Sequence, residues 1–339
     1  MESAVVTVGE NSQVGEARRV ATAFADEVGM NETDRGRVAL VVTEAANNLI
    51  QHGGGGEIVL QALPSTLGEG GVQILALDKG PGIAHLGDSL RDGHSTAGTA
   101  GEGLGAIRRQ SQVFDVYSVP GSGTALLSHI LPKPASPPVA FPWLLGVLSL
   151  PKSGETVCGD AWTTDPQREH GRFLVADGLG HGPLAAEASN RAVEVFGNHH
   201  DDTPTQLLTR IHASLRGTRG AAVACAFVDE TTAHFAGVGN IAAAILLQEQ
   251  MRGLASFNGT AGVQVYKIGE LSYPFAPGST LVMASDGVSA SWRFDRYPGL
   301  LSRHPALLCG VLYRDCGRGR DDVTVLAARR ATGDEYRGG

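Results

Sequence analysis

Paired cysteines, a membrane-length apolar run, a basic stretch and a P-loop are all missing from this chain. The only cysteines are Cys158, Cys225, Cys309 and Cys316, with neither CxxC pairing nor zinc spacing, which excludes a disulfide framework and a zinc ribbon. Cys158 and Cys225 lie in apolar stretches and are expected as core thiols. The longest apolar run, around Phe141 to Leu150, is interrupted by Pro142 and Gly146, so no membrane helix is expected. Glu2 and Glu10 stand where a secretion signal needs basic and apolar residues, and the expected compartment is the cytoplasm. Lys and Arg number 27 against 35 Asp and Glu, a net charge of −8, which argues against binding a nucleic-acid backbone. No GxxxxGK[ST] occurs, so a Walker-type nucleotide site is out. Aromatics are only 6% of the chain.

Glycine is what the chain has in excess, 46 residues of 339, as expected where backbone must approach something closely. The length favours two domains, and Pro132, Pro134, Pro137 and Pro138 mark a stiff, extended boundary. The expected organisation is a first domain over 1–132, a linker over 133–140, a second domain over 141–331 and a flexible tail over 332–339. In the first, helices over Val14–Val28, Arg37–Ile50 and Gly105–Gln110 and strands over Glu57–Ala62, Val72–Leu77, Val113–Ser118 and Thr124–Leu131 predict helices on one face of a mixed sheet. In the second, seven strand-like runs surround a helical pair, Leu184–Phe196 and Thr205–Arg216, which predicts a sheet sandwich flanked by helices. The overall class is α+β with two domains.

Glu44 and Asn48 are one turn apart on a predicted helix, so both project from one face. A carboxylate and an amide oxygen there can hold magnesium and polarise a hydroxyl, although the pair alone is more often a solvated face. Asp78-Lys79-Gly80-Pro81-Gly82 follows a strand, where a carboxylate can accept from an adenine amino group while backbone folds over the base; alone it is a common turn. Gly101-Glu102-Gly103-Leu104-Gly105 opens a helix, a phosphate-binding arrangement. Gly121-Ser122-Gly123-Thr124 forms a last turn before a strand.

In this order and spacing, residues 5–131 resemble the GHKL (Bergerat) ATPase superfamily, and TEAANNLIQHGGGGEI and DGHSTAGTAGEGLG are most similar to RsbT-type serine kinases. The resemblance implies an α/β sandwich that binds ATP with magnesium. Asn48 would ligate the ion, Glu44 would be the base toward a substrate serine, and Asp78 would read adenine. Gly80, Gly82, Gly101, Gly103, Gly105 and Thr124 would shape the pocket and lid. His52 is read as a helix-end residue rather than a phosphoacceptor.

The second half places carboxylates near four strand ends: Asp160, Asp177 in Asp177-Gly178-Leu179-Gly180-His181-Gly182, Asp286 in Ser285-Asp286-Gly287, and the pair Asp321-Asp322. All-oxygen ligands suit magnesium or manganese, and two such ions can clamp a phosphoryl group. Each Asp-Gly alone is a turn. Jointly, over about 140–330, they resemble the SpoIIE/RsbX branch of the metal-dependent type 2C phosphatases. That implies an αββα sandwich and hydrolysis of phosphoserine or phosphothreonine by metal-activated water. Asp177 would bridge two ions, the Gly178 carbonyl would assist one, Asp286 and Asp321 would hold the other, and Asp160 would act directly or through water. Asp322 is the less certain of its pair. Gly159 replaces the acidic residue of many eukaryotic relatives, and the nearest cation early in this domain is Lys152. His181 has two readings, leaving-group acid or loop packing.

The combined resemblance implies a regulator that phosphorylates and dephosphorylates one partner, a STAS-domain protein of a sigma-factor or stress switch, with no nucleic acid and no membrane involved. The alternative is a phosphatase whose first domain only senses nucleotide or binds a partner.

Overall fold

The structure is a computed structural model that describes residues 3–63, 70–89, 100–132, 141–166, 170–248 and 250–331. The proline cluster beyond Pro132 and the tail over 332–339 lie outside them. Contacts divide the chain into two units, the first taking in Met1–Ala140 with Tyr297–Arg314, the second Phe141–Arg296 with Asp315–Thr332. By contacts Tyr297–Arg314 falls within the first unit, whereas the sequence expectation carries the second domain unbroken over 141–331.

The first unit runs β1 (Ser3–Val8), α1 (Asn11–Glu27), α2 (Glu32–Asn48), β2 (Gly56–Leu63), β3 (Gly71–Leu77), α3 (Leu86–Ser89), α4 (Ala100–Gln110), β4 (Val113–Ser118) and β5 (Thr124–Ile130). The sheet order is β1-β2-β3-β5-β4. Every pairing is antiparallel, not mixed as the periodicity suggested. Residues 64–70 and the turn through Gly121–Gly123 are too short for the crossover a parallel pair needs. Asn31 starts α2 by accepting the Asp34 N–H at 2.9 Å. Buried Arg37 then ties α2 to the end of the sheet, donating to Asp34 Oδ1 at 2.7 Å, Leu131 O at 3.0 Å and Gln112 Oε1 at 2.8 Å.

Alternate strand residues explain the layering. Ile58, Leu60, Val72, Ile74, Leu126 and Ile130 form one core with Ala21, Phe24, Val38, Val42 and Ala45 of the helices. The opposite parity, Val59, Leu75, Leu77, Tyr117 and Leu127, is buried as well, so the sheet is covered on both faces and not on one. Tyr297–Arg314 supplies that second cover. His304 N donates to Asp115 Oδ2 at 2.8 Å, the His129 and His304 rings meet edge-on at 5.4 Å, and a Cβ on Gly310 would lie 3.1 Å from Leu77 Cδ2.

His129 gives this packing a pH signature. Its Nε2 lies 3.1 Å from Gln73 Oε1, the His304 ring meets it edge-on, and no carboxylate among the described residues hydrogen-bonds the ring. Burial pushes the imidazole down from 6.5 to about 4. Above pH 6.5 it is neutral folded and unfolded, and contributes nothing. Between about 6.5 and 4 the unfolded chain takes up a proton that the folded state refuses, so stability falls on acidification, by up to about 3 kcal/mol from this group. Thermal unfolding of His129→Asn is therefore expected to lose less between pH 7.5 and pH 5 than wild type; equal losses would refute the assignment.

The second unit contains β6 (Trp143–Leu150), β7 (Asp160–Thr164), β8 (Gly171–Gly178), α5 (Pro183–Asn198), α6 (Pro204–Ser214), β9 (Ala221–Val228), β10 (Thr232–Val238), β11 (Ala242–Leu247), β12 (Gln250–Leu254), a small hairpin of β13 (Gly259–Thr260) and β14 (Gln264–Val265), then β15 (Glu270–Pro274) and β16 (Thr280–Ala284). After α7 (Pro305–Cys316), most of which belongs with the first unit, comes β17 (Val323–Arg330). The strands form two antiparallel sheets, β15-β10-β9-β8-β7 and β12-β11-β16-β17-β6. They face each other through Trp143 of β6, whose ring meets Phe173 of β8 edge-on at 5.2 Å. Helices α5 and α6 cover the first sheet, where Ala188, Ala192, Phe196, Leu207 and Ile211 pack on Leu174, Val223 and Cys225. Thr203 caps α6 reciprocally with Gln206, and Pro204 occupies its first turn. Cys225 is a core thiol as expected, and Cys158 is only partly buried.

Candidate functional site

The first site is built where α2 ends. Glu44 and Asn48 occupy its last turns, and the chain continues into a π turn over Leu49–Gly53, a distortion frequent at functional sites. Across from them stands Gly103 of α4, where a Cβ would lie 3.1 Å from Glu44 Oε2 and 3.5 Å from Asn48 Oδ1. Glu44 and Asn48 thus point at one spot, which the glycine keeps clear. Among the described residues the Asn48 Nδ2 is buried without a hydrogen-bond partner, a polar atom left for a ligand to satisfy.

Asp78 follows β3 and is 8% exposed. Its Oδ1 accepts from Gly80 N at 2.8 Å and Thr124 N at 3.1 Å, which leaves Oδ2 for another donor. Burial raises its pKa, opposed by those two hydrogen bonds and by Arg314. The surrounding glycines are sterically required. A Cβ on Gly53 would come within 2.8 Å of Asp78 Cβ, and one on Gly80 within 2.6 Å of Gly53 O. Gly123, at φ +79°, would press a Cβ to 2.1 Å from Asp78 O. Gly82 approaches Val119 O in the same manner, at 2.2 Å. Thr124 serves through its backbone, since its Oγ1 lies 3.0 Å from Ser118 Oγ. Gly101 and Gly105 both belong to α4, and Gly105 is buried.

The second site lies at one end of the sandwich. Asp160 opens β7 directly opposite Asp177 of β8. Asp286 follows β16, and Asp321 and Asp322 precede β17. Burial and the facing Asp177 carboxylate push Asp160 well above the usual carboxylate range, and Asp322 adds to this. Burial and then Asp286 and Asp321 push Asp177 up to about 7. Among the described residues Asp160 Oδ2 is buried with no partner. As the side chains stand, no three His, Cys, Asp or Glu groups among the described residues enclose one ion position. The crowding of buried like charges and the partnerless oxygen nevertheless fit a divalent cation, because opposite charge is what relieves such a cluster.

The structure separates the aspartate pair. Asp322 accepts Lys152 N at 2.8 Å and Gly159 N at 3.0 Å, so it braces the loop that carries Asp160. Asp321 is the member whose charge acts strongly on Asp177. Gly178 cannot carry a side chain, since a Cβ would sit 2.0 Å from Ala185 O of α5. Asp286 Oδ2 accepts from Asn240 Nδ2 at 2.7 Å. His181 Nδ1 is 2.6 Å from Glu155 Oε1, which ties it to the rim.

Two arginines escaped the sequence reading. A Cβ on Gly180 would lie 3.0 Å from the Nη1 of exposed Arg219, placing a cation beside the Asp177–Gly182 loop. Arg314 reaches the backbone of Asp78 at 2.8 Å. Neither sits in a motif; Arg219 had only its position just ahead of a strand to signal it.

Comparison with known proteins gives a separate match for each half of the chain. Residues 8–127 match the histidine kinase-like ATPase domain family, and residues 167–331 match the stage II sporulation protein E (SpoIIE) family. The serine/threonine-protein kinase RsbT of Bacillus subtilis is 34% identical over 110 residues, 32% of this chain and 82% of that protein. The phosphoserine phosphatase RsbX of the same organism is 31% identical over 75 residues, 22% of this chain and 38% of RsbX. The crystal structure of RsbX in complex with magnesium shares the fold, with a TM-score of 0.51 at 19% identity over 56% of this chain and 96% of that one. A structure described as the bacterial stressosome, a modular system adapted to control secondary messenger signaling, gives a TM-score of 0.52 at 27% identity, covering 55% of this chain and 99% of that one. Among the described residues no helix is long and apolar enough to cross a membrane. By its residues 8–127 the chain belongs to the RsbT family of histidine kinase-like ATPase domains, and it carries this domain fused to a second one whose residues 167–331 match the SpoIIE family.

Proposed function

We propose that this chain both phosphorylates and dephosphorylates serine or threonine on one partner protein, a STAS-domain regulator of a stress or sigma-factor switch. The observation that carries the phosphatase half is the carboxylate cluster Asp160, Asp177, Asp286 and Asp321 at one end of the sandwich, with Asp160 buried and the others half-buried, where a cation relieves the crowded like charges. Magnesium or manganese held by these residues with the Gly178 carbonyl supplies Lewis acidity toward a phosphoryl group. Asp322 keeps Asp160 in place, and Arg219 offers a guanidinium to the phosphate at the rim. In the first unit, Asp78 Oδ2 receives the adenine amino group and Asn48 orients magnesium and the phosphates. Glu44, beside it, takes the proton of the attacking hydroxyl. The kinship with RsbT and the likeness to the stressosome structure support a partner of the STAS class.

The test follows the intact mass of a purified candidate STAS protein incubated with the full chain. With Mn2+ alone, phosphorylated partner is expected to lose its phosphate, and excess EDTA to stop this. With Mg-ATP, Asp177→Asn protein is expected to accumulate phosphorylated partner, while Asn48→Ala protein only removes phosphate. Full phosphatase activity in EDTA would sink the metal reading. A failure of Asp177→Asn protein to phosphorylate a partner that wild type dephosphorylates would leave the first unit as a nucleotide-sensing or docking module.

A further inference from the structure

The β3–β5 rung at Asp78 is closed by a residue from a distant part of the chain. Asp78 N donates to Thr124 O at 2.9 Å, and Thr124 N returns a bond to Asp78 Oδ1 at 3.1 Å. Arg314 Nη1 donates to both carbonyls of that rung, Asp78 O at 2.8 Å and Thr124 O at 3.4 Å. Its guanidinium therefore fixes the backbone from which the Asp78 side chain projects.

Arg314 is brought there by a docked segment. Arg303 Nη1 lies 3.4 Å from Asp115 Oδ1, and His304 N donates to Asp115 Oδ2 at 2.8 Å. Further along, Gly310 lies against Leu75 and Leu77, where a Cβ would come within 3.5 Å of each, and the Tyr313 hydroxyl lies beside the Glu57 carboxylate. These contacts span β4, β3 and β2 on the face away from α1, α2 and α4. Small Gly310 lets the helix lie close over the two leucines, so that Arg314 reaches the end of β3.

We infer that Arg314 is a positioning residue for the nucleotide site, and that the ATP-binding unit is complete only with Tyr297–Arg314 docked on its sheet. This rests on the reading of Asp78 as the adenine acceptor. With Asp78 Oδ1 held by two backbone N–H groups, a small rotation of the rung turns Oδ2 away from the base. Arg314 resists that rotation from the carbonyl side, and its positive charge favours the ionised carboxylate that accepts. An arginine serves well here because one guanidinium nitrogen can bridge two carbonyl oxygens while the delocalised charge tolerates partial burial.

The experiment uses the full chain as wild type, Arg314→Ala, Arg314→Lys and Arg303→Ala. Calorimetry measures Mg-ATP and Mg-GTP affinity, and thermal unfolding measures stability. Arg314→Ala is expected to bind ATP about tenfold more weakly and to lose preference for ATP over GTP. Arg314→Lys, which retains a donor and the charge, is expected to recover most of both. Arg303→Ala loosens docking at the far end and is expected to keep wild-type selectivity. Equal ATP affinity and selectivity in wild type and Arg314→Ala would overturn the inference while leaving the nucleotide reading intact. An Arg303→Ala protein that loses as much affinity as Arg314→Ala with the same fall in melting temperature would overturn the positioning role of Arg314, since the effect would then be docking alone. Absence of ATP binding by folded wild type would overturn the nucleotide reading, and this inference with it.

Discussion

Phosphatase turnover of the Asp177→Asn protein on a phosphoserine peptide is expected to fall by roughly two to three decades, the equivalent of about 3–4 kcal/mol of transition-state stabilisation. Asp177 stands at the centre of the carboxylate cluster. It is paired across the sheet with Asp160, and its charge is opposed by burial, Asp286 and Asp321. An amide there keeps the shape and removes the negative charge that a cation between these groups requires. The same substitution has an opposite effect on the metal-free fold. A carboxylate whose folded pKa is raised to about 7 from 3.8 contributes stability at low pH that is lost as pH rises through about 7. Above that pH the metal-free Asp177→Asn protein is thus expected to melt higher than metal-free wild type, and to gain less from added Mn2+. Lower activity together with a higher metal-free melting temperature separates a ligand from a residue that merely holds the fold. Wild-type turnover in the variant, or a variant destabilised without metal, would refute the role.

Asp78→Asn is expected to weaken ATP binding by one to two decades, the effect of leaving a buried polar contact unmade at about 1–3 kcal/mol. The geometry makes the isosteric change a sharp one. Gly80 N and Thr124 N both point at Oδ1, so an asparagine must place its carbonyl oxygen there. Its NH2 group then occupies the Oδ2 position and meets the adenine amino group donor to donor. The backbone contacts survive, and the fold is expected to melt near the wild-type temperature, since burial raises the Asp78 pKa and the neutral amide avoids that cost. Calorimetry on the full chain distinguishes the outcomes. Unchanged affinity would mean that Asp78 is a turn-forming residue and that the base is read elsewhere.

Much of both sites was legible because the chemistry is local. Each aspartate of the second site sits beside a glycine or at a strand end within a few residues of sequence, and Glu44 and Asn48 share a helix face by their spacing. The glycines announced close approach, though not to what. Only the fold shows that Gly53, Gly80 and Gly123 close around Asp78, and that Gly103 faces Glu44 and Asn48. The strand β7 was missed because it is short and its first residue is the polar Asp160. Helix α7 was missed because it is apolar on all sides: Pro305 through Leu312 are all buried, so no amphipathic period marks it.

The sequence by itself determined the chemical parts and their order: an amide and a carboxylate on one helix, a carboxylate before a glycine turn, and aspartates at strand ends. Local spacing and short turns settle such features without reference to the rest of the chain. Tertiary structure alone decided which aspartate of Asp321-Asp322 braces Gly159, Asp322 accepting its N–H at 3.0 Å, because periodicity ahead of a strand does not choose between adjacent residues. It also decided what lies on the second apolar face of the first sheet. The buried run Gly71–Leu77 implies a cover on both sides, but a sheet face accepts any apolar helix of suitable size. That the cover is Tyr297–Arg314, with Arg314 placed on the Asp78 rung, follows from contacts between residues far apart in the chain, where no local pattern carries a signal.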